Sequence, residues 1–263
     1  MQTFSLAGYR TLLAKELREA WRTSRLPITL IVFFILGGIS PLVAHFTPQL
    51  LQGAITNGVH ITVAAPTLKD AVAQYIKNVG GDGFLIAIVL AMGSIAREKE
   101  RGTAAFLLTK PVSRLAFLAA KFTALLITLW LGMLVATVTA YGYTVYYFGS
   151  VSALRFTQMA LLIGLGLTAF LALTFLASAL TRSTVAAAVL GFAAWLILAL
   201  LGISSRLLPN TPNGLNDPAQ ALALGAAPQY LAQPVIATIV IIVAALALTQ
   251  IAFARQEPVA TQA

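Results

Sequence analysis

The chain contains no cysteine, only two histidines and only eight acidic residues among its 263 residues. The lack of cysteine excludes a disulfide framework and a thiolate metal site, and it leaves the redox compartment open. Charged residues make up 10% of the chain, whereas a soluble domain usually carries about 25%. The sequence also has no Gly-x-x-x-x-Gly-Lys-Ser/Thr phosphate loop, which excludes ATP hydrolysis by that route. The composition is that of a membrane protein.

Long apolar runs fill most of the chain. A membrane-spanning helix needs about 20 apolar residues, and six segments qualify. The first begins late and follows a long polar segment, so we expect no cleavable signal. We therefore predict an all-α integral membrane protein, with a cytoplasmic N-terminal helix over residues 1–26 and a six-span domain over 27–263. The predicted spans are approximately 27–46, 76–96, 115–148, 154–181, 184–205 and 234–254.

The Lys and Arg residues are distributed unevenly along this layout. With both termini in the cytoplasm, all seventeen fall on the cytoplasmic side except Lys69, Lys77, Arg155 and Arg206. Cationic residues favour cytoplasmic loops, so the pattern predicts that both termini lie on the cytoplasmic side of the membrane. We expect this membrane to be the cytoplasmic membrane of a bacterium or archaeon. Topology thus explains the net charge of +9, and we do not expect a nucleic-acid partner. Lys121, early in the third span, is expected to extend to the cytoplasmic headgroups.

Two outer segments, over 47–75 and 206–233, are long enough to fold. Apolar residues recur at helical spacing between Pro66 and Asn78, which predicts a short amphipathic helix on the outer surface. Residues 218–224 predict a second short helix, which could be re-entrant. Glycines around Asp82 interrupt the second span, so that span either extends back through Tyr75 or starts within the bilayer. Asp82 is then either a solvated helix start at the outer surface or a pathway residue.

The N-terminal segment, Leu6 to Leu26, predicts a basic amphipathic helix in the membrane interface. Tyr9, Leu13 and Leu17 share one face, and most of the cations lie opposite them. Trp21 suits headgroup depth, and the cations would favour anionic lipid. The helix could serve as an anchor for the first span or also hold a partner protein. Its candidate functional residues are Lys15, Glu16, Arg18, Trp21 and Arg22.

A charged segment, residues 96–114, separates the second and third spans. Glutamates alternate with cations up to Arg101, Gly102 is a helix break, and Pro111 ends any helix before Ser113 caps the third span. This pattern predicts a short helix crossing parallel to the membrane on the cytoplasmic side. The exposed apolar residues Phe106 and Leu107 require a protein groove or the lipid interface to cover them.

The joint pattern resembles the type 2 ATP-binding-cassette (ABC) permease family. Its parts are Lys15-Glu-Leu-Arg18 in a basic helix, then a first span, Glu98-x-Glu100-x-Gly-Thr103, an apolar pair, Pro111-Val-Ser-Arg114 and Lys121. The resemblance covers the whole six-span layout, but its specificity lies mainly in these two short regions. Ala104 and Ala105 depart from the bulkier or acidic residues that the family often carries there.

The resemblance implies an exporter in which two permease subunits, identical or different, each dock on a cytoplasmic ATPase subunit. ATP and Mg²⁺ would bind the partner ATPase, so this chain is expected to be non-catalytic and to bind no cofactor. A hydrophobic or amphipathic substrate suits the apolar spans. The residues expected to couple to the ATPase are Glu98, Glu100, Arg101, Gly102, Thr103, Phe106, Leu107, Pro111, Ser113 and Arg114.

Two alternatives remain open from the sequence. The same fold could be the membrane subunit of an ABC-driven maturation, tethering or motility complex that transports no substrate. An intramembrane enzyme is a remote alternative, because it needs paired acids, a Ser/His pair or metal ligands at membrane depth. Asp82 is the only carboxylate near a span core, and His45 and His60 lack ligand spacing.

Overall fold

A computed structural model of the chain describes residues 6–54, 65–100 and 113–255. An N-terminal helix, Leu6–Arg22, precedes six helices that are long and apolar enough to cross a membrane. The predicted all-α fold with six spans is confirmed. The observed bounds are Arg25–Ala54 for span 1, Leu68–Glu100 for span 2, Arg114–Phe148 for span 3, Ala153–Leu180 for span 4, Thr184–Leu201 for span 5 and Ala232–Arg255 for span 6.

Span 4 lies at the centre of the bundle. Its most apolar stretch is 72% buried, and it packs on spans 2, 3, 5 and 6. The equivalent stretches of spans 5 and 6 are only 11% and 17% buried in the single chain. Their exposed faces are apolar, with Val189, Ile197 and Val243 each more than half exposed. Such faces suit lipid or another subunit rather than water.

Spans 1 and 3 approach each other closely at two glycines. A Cβ atom added to Gly37 would lie 2.3 Å from the carbonyl oxygen of Ala136. One added to Gly132 would lie 2.3 Å from a ring carbon of Phe33, which is fully buried. Small residues let helix backbones approach in membranes, where apolar burial alone gives little drive for association. The pair forms one wall of the bundle.

Span 2 is longer than the sequence predicted. It begins at Leu68, where the Thr67 amide and hydroxyl both donate to the Asp70 carboxylate in a capping box. The expected surface helix over residues 66–78 is wrong as a separate element, because Val72 and Tyr75 are buried against the bundle and the helix continues into the span. The outer connection between spans 1 and 2 is therefore shorter than the predicted 47–75.

The glycines near Asp82 do not break span 2. Ile76–Asp82 forms a π-helical segment, and the chain returns to α-helix over Gly83–Met92. Gly80, on the inner side of this segment, lies beside Ile163 of span 4, where a glycine adds no side chain to the helix contact. Of the two alternatives for span 2, extension back through Tyr75 is the one observed.

A short outer helix, Asn216–Leu224, lies where the sequence predicted one over 218–224. It packs on the outer half of span 4 and ends at Gly225, whose left-handed backbone (φ 79°) suits glycine. The Tyr230 hydroxyl donates to the Asp217 carboxylate at 2.9 Å. Desolvation and this bond raise the pKa of Tyr230. The contact closes the loop that leads to span 6.

Candidate functional site at the end of the bundle near the N-terminal helix

Lys121 is a buried cation near the start of span 3. Its side chain is 5% exposed, and its Nζ atom lies 2.8 Å from Oε1 of Glu98 and 3.1 Å from Oε1 of Glu16. Glu98 belongs to the end of span 2 and Glu16 to the N-terminal helix. The expectation that Lys121 extends to lipid headgroups is wrong, because two carboxylates from other elements hold it inside the protein.

The ionic cluster of Glu16, Glu98 and Lys121 joins three elements at one point. Glu16 and Glu98 are 13% and 18% exposed, so all three charges are largely withdrawn from water. A buried charge needs a partner, and removing one member leaves the others uncompensated. Lys15 lies 3.8 Å from Glu16 and is half exposed, which adds a weaker outer contact. The cluster therefore fixes the N-terminal helix and the end of span 2 relative to span 3.

Span 2 is interrupted just before this cluster, between Met92 and Ala96. Ser178 of span 4 fills the interruption, because its Oγ atom accepts the Ile95 and Ala96 amides at 3.0 and 2.9 Å. The same hydroxyl donates to the Met92 carbonyl at 2.9 Å. One buried side chain thus satisfies backbone groups on both sides of the break. We call Ala96–Glu100, the helical turn after the break, the stub.

The stub is also fastened to the hairpin of spans 4 and 5. The Lys99 ammonium donates to the Ala179 carbonyl and lies 3.4 Å from the Thr181 carbonyl, at the end of span 4. Both carbonyls lie at the C-terminal end of span 4, where a cation also complements the helix dipole. The Thr184 hydroxyl donates to the Glu100 carboxylate at 3.1 Å. The stub is therefore held by spans 3, 4 and 5 together.

The predicted coupling residues are only partly described. Glu98 is largely buried, whereas the sequence had placed it at the surface with Glu100, which is exposed. Ser113 caps span 3, as its Oγ accepts the Ala116 amide at 3.2 Å, and Arg114 donates to the Ala254 carbonyl of span 6 at 2.8 Å. The remaining residues lie outside the described ranges: Arg101, Gly102, Thr103, Phe106, Leu107 and Pro111.

The N-terminal helix separates its charges by face. Glu16 points inward to Lys121, and the Tyr9 hydroxyl donates to Thr123 Oγ1 of span 3 at 3.1 Å. Trp21 is 64% exposed, on the side away from the bundle. The other predicted residues, Lys15, Arg18 and Arg22, are exposed as well. Their place in a membrane interface stays a prediction.

Among the residues of this site, Lys121 and Ser178 are two whose contacts the sequence did not predict. Lys121 was visible as a lone cation within an apolar segment, which by itself indicates a need for a partner. Its partners could not be identified, because Glu16 and Glu98 come close only through folding. Ser178 gave no signal, since a serine in an apolar helix usually bonds its own backbone.

Asp82 lies far from this site. Span 2 continues from Asp82 back to Leu68, so the interpretation of Asp82 as a helix start is wrong, and its place at the outer surface stays a prediction. The residue is exposed in the single chain. No group of three or more His, Cys, Asp or Glu residues that could hold a metal occurs in the described ranges.

The fold and this junction define a multi-pass helical membrane protein whose spans are tied together at the end that carries the N-terminal helix. The chain matches the model of the family described as "ABC-2 family transporter protein" over residues 10–257. The match covers nearly the whole chain, so the protein belongs to this family of transporter permeases. Members are generally non-catalytic transmembrane subunits.

A curated relative is described as an uncharacterized transmembrane protein, YxlG, from Bacillus subtilis (strain 168). It is 26% identical over 113 residues, which cover 42% of this chain and 44% of the relative. The matched region therefore covers less than half of that relative's length. The similarity agrees with a membrane protein and gives no information about a substrate.

Proposed function

We propose that this chain is the permease subunit of an ABC exporter in a bacterial or archaeal cytoplasmic membrane. A separate cytoplasmic ATPase dimer would bind ATP and Mg²⁺, and a second permease subunit, identical or different, would complete the pathway. Both termini would be cytoplasmic, and the N-terminal helix would lie on the lipid. The substrate is hydrophobic or amphipathic, in keeping with the apolar spans.

The observation that carries this proposal is the fastening of the stub. The predicted docking segment follows the stub directly, and the stub is tied to span 3 through Lys121 and to span 4 through Ser178 and Lys99. A push on the docking segment is therefore passed to several spans at once. Packed cores respond to such a push by switching between arrangements rather than by deforming continuously.

The test is purification of the tagged chain from its native membrane after mild crosslinking. A variant with Glu100→Ala, Phe106→Ala and Leu107→Ala should lose a co-purifying phosphate-loop ATPase that the wild type retains. The matched control carries Leu224→Ala and Gln229→Ala on the outer side, where an ATPase has no access. Failure of the wild type to recover any ATPase, even with crosslinking, would remove the central expectation of the proposal.

Transport itself is tested in vesicles containing the chain with the recovered ATPase. Movement of a substrate out of the membrane or across it, dependent on ATP, supports an exporter. ATP hydrolysis with no substrate moved, in a complex that instead matures, tethers or moves another component, supports the alternative function.

A further inference from the structure

Span 2 carries an exposed polar patch in an otherwise apolar surface. Lys77, Gly81 and Asp82 are all exposed, and Leu85 and Val89 continue the same side of the helix at 49% and 61% exposure. In the π-helical segment residues five apart lie above one another, so Lys77 and Asp82 share this side. We call the surface of Lys77, Gly81 and Asp82 the polar face.

The contacts around Asp82 give its depth in the bundle. The next residue, Gly83, packs against Phe33 of span 1 and Leu167 of span 4. At about 1.5 Å per residue, Phe33 lies about 12 Å above Arg25, and Asp82 lies about 15 Å above Met92, where the regular helix ends. Arg25, Lys121 and Ser94, which follows Met92 closely, line one small cavity, so the two distances start from about the same level. With a hydrocarbon core about 30 Å thick, Asp82 lies near its middle.

Asp82 also lacks a partner that could neutralise it there. It makes no ion pair or side-chain hydrogen bond with any residue in the described ranges. Lys77 lies one turn nearer the outer surface and is long enough to extend its ammonium group toward the outer headgroups. An ionisable side chain at membrane depth faces a water-filled cavity or another protein group, since lipid cannot solvate it.

We infer that the polar face lines a water-filled pathway, in which Asp82 binds the cationic group of an amphipathic substrate. The carboxylate supplies the charge, and Leu85 and Val89, toward the cytoplasmic side, offer apolar surface for the rest of the molecule. Gly81 leaves open space beside the carboxylate, because a Cβ atom added there would meet nothing within 4 Å. This inference rests on the proposed function and narrows its substrate to hydrophobic cations.

The absence of cysteine makes a direct test possible, since any introduced thiol is the only one. Gly81→Cys keeps Asp82 and puts a thiol into the open space beside it. The reagents are two membrane-impermeant methanethiosulfonates, one cationic and one anionic, with each rate divided by its rate on a free thiol in solution. Both require water at the thiol, because the thiolate is the reacting form. The matched control is Val243→Cys, on the exposed apolar side of span 6.

We expect Gly81→Cys to react and Val243→Cys to remain unmodified. The cationic reagent should be favoured by at least about tenfold, the effect of one nearby unit charge in a partly hydrated site. Adding Asp82→Asn should remove this preference. Tetraphenylphosphonium, a hydrophobic cation, should slow the labelling of Gly81→Cys, and it should have no such effect once Asp82→Asn is present.

Three outcomes would overturn the inference: a Gly81→Cys thiol as inert as Val243→Cys, a charge preference that survives Asp82→Asn, or no protection by tetraphenylphosphonium. Should Gly81→Cys fail to fold, Leu85→Cys on the same side of span 2 provides the same readout. Recovery of the ATPase by the wild type is measured separately. A failed labelling test with a recovered ATPase therefore rejects the cation site alone, and loss of both rejects the proposed function.

Discussion

Replacing Lys121 by methionine removes the central charge of the ionic cluster while keeping a side chain of similar length. Glu16 and Glu98 would remain largely buried, at 13% and 18% exposure, with their central cation removed. Breaking a buried ion pair costs about 3–5 kcal/mol. Because both carboxylates keep a little access to water, we expect the lower end, about 3 kcal/mol. At about 2–4 °C per kcal/mol, the midpoint of thermal unfolding falls by roughly 6–12 °C.

The assay is thermal unfolding in lipid nanodiscs of fixed composition. Lys15→Met is the matched control, since Lys15 is half exposed and 3.8 Å from Glu16, and an exposed pair of this kind is worth about 0–1 kcal/mol. A triple variant with Lys121→Met, Glu16→Gln and Glu98→Gln should recover most of the loss, because no buried charge remains. A Lys121→Met protein as stable as Lys15→Met, or a triple variant no better than the single one, would refute the role assigned to the cluster.

Two further substitutions test the packing around this site. Ser178→Ala should lower the free energy of unfolding by about 1–3 kcal/mol, because it leaves the buried Ile95 amide without its acceptor. Faster hydrogen exchange of that amide would report the loss. An unchanged exchange rate would contradict the contact. Gly37→Ala should strongly reduce the yield of folded protein, since the added Cβ atom would overlap the Ala136 carbonyl. Gly142→Ala is the control and should be tolerated, because its Cβ atom would meet nothing within 4 Å. Equal yields of the two variants would rule out the close approach of spans 1 and 3.

The spans could be predicted because hydropathy acts locally. A run such as residues 184–201 is too apolar for water whatever its neighbours are, so its composition alone decides its environment. The predicted surface helix failed for the opposite reason. Val72 and Tyr75 form an apolar side at helical spacing, which fits a membrane surface and a protein core equally well. Only the presence of span 1 decides between the surface and the core. Its Ser40 hydroxyl accepts a hydrogen bond from the Asn78 side-chain amide at 3.1 Å.

The contacts of the candidate site were beyond the sequence because they join distant positions. Glu16 and Lys121 are both visible as charges, but nothing local indicates that they pair at 3.1 Å. The continuation of span 2 past Asp82 was also hidden, since the glycines before it suggested that the helix started there. A π-helical segment tolerates those glycines and carries the chain on toward Leu68. The coupling role predicted for residues 98–114 remains a prediction.

The break in span 2 divides a single stretch of sequence into two mechanical parts. From Leu68 to Met92 the helix is packed among spans 1, 4 and 5, whereas the stub after the break is held by contacts from spans 3, 4 and 5. A joint of this kind transmits torque along the helix axis poorly, because the backbone hydrogen bonds that would carry it are interrupted. Sideways displacement instead passes to spans 3, 4 and 5, which hold the stub. The neighbouring spans, rather than the part of span 2 before the break, are therefore the parts expected to move with the stub.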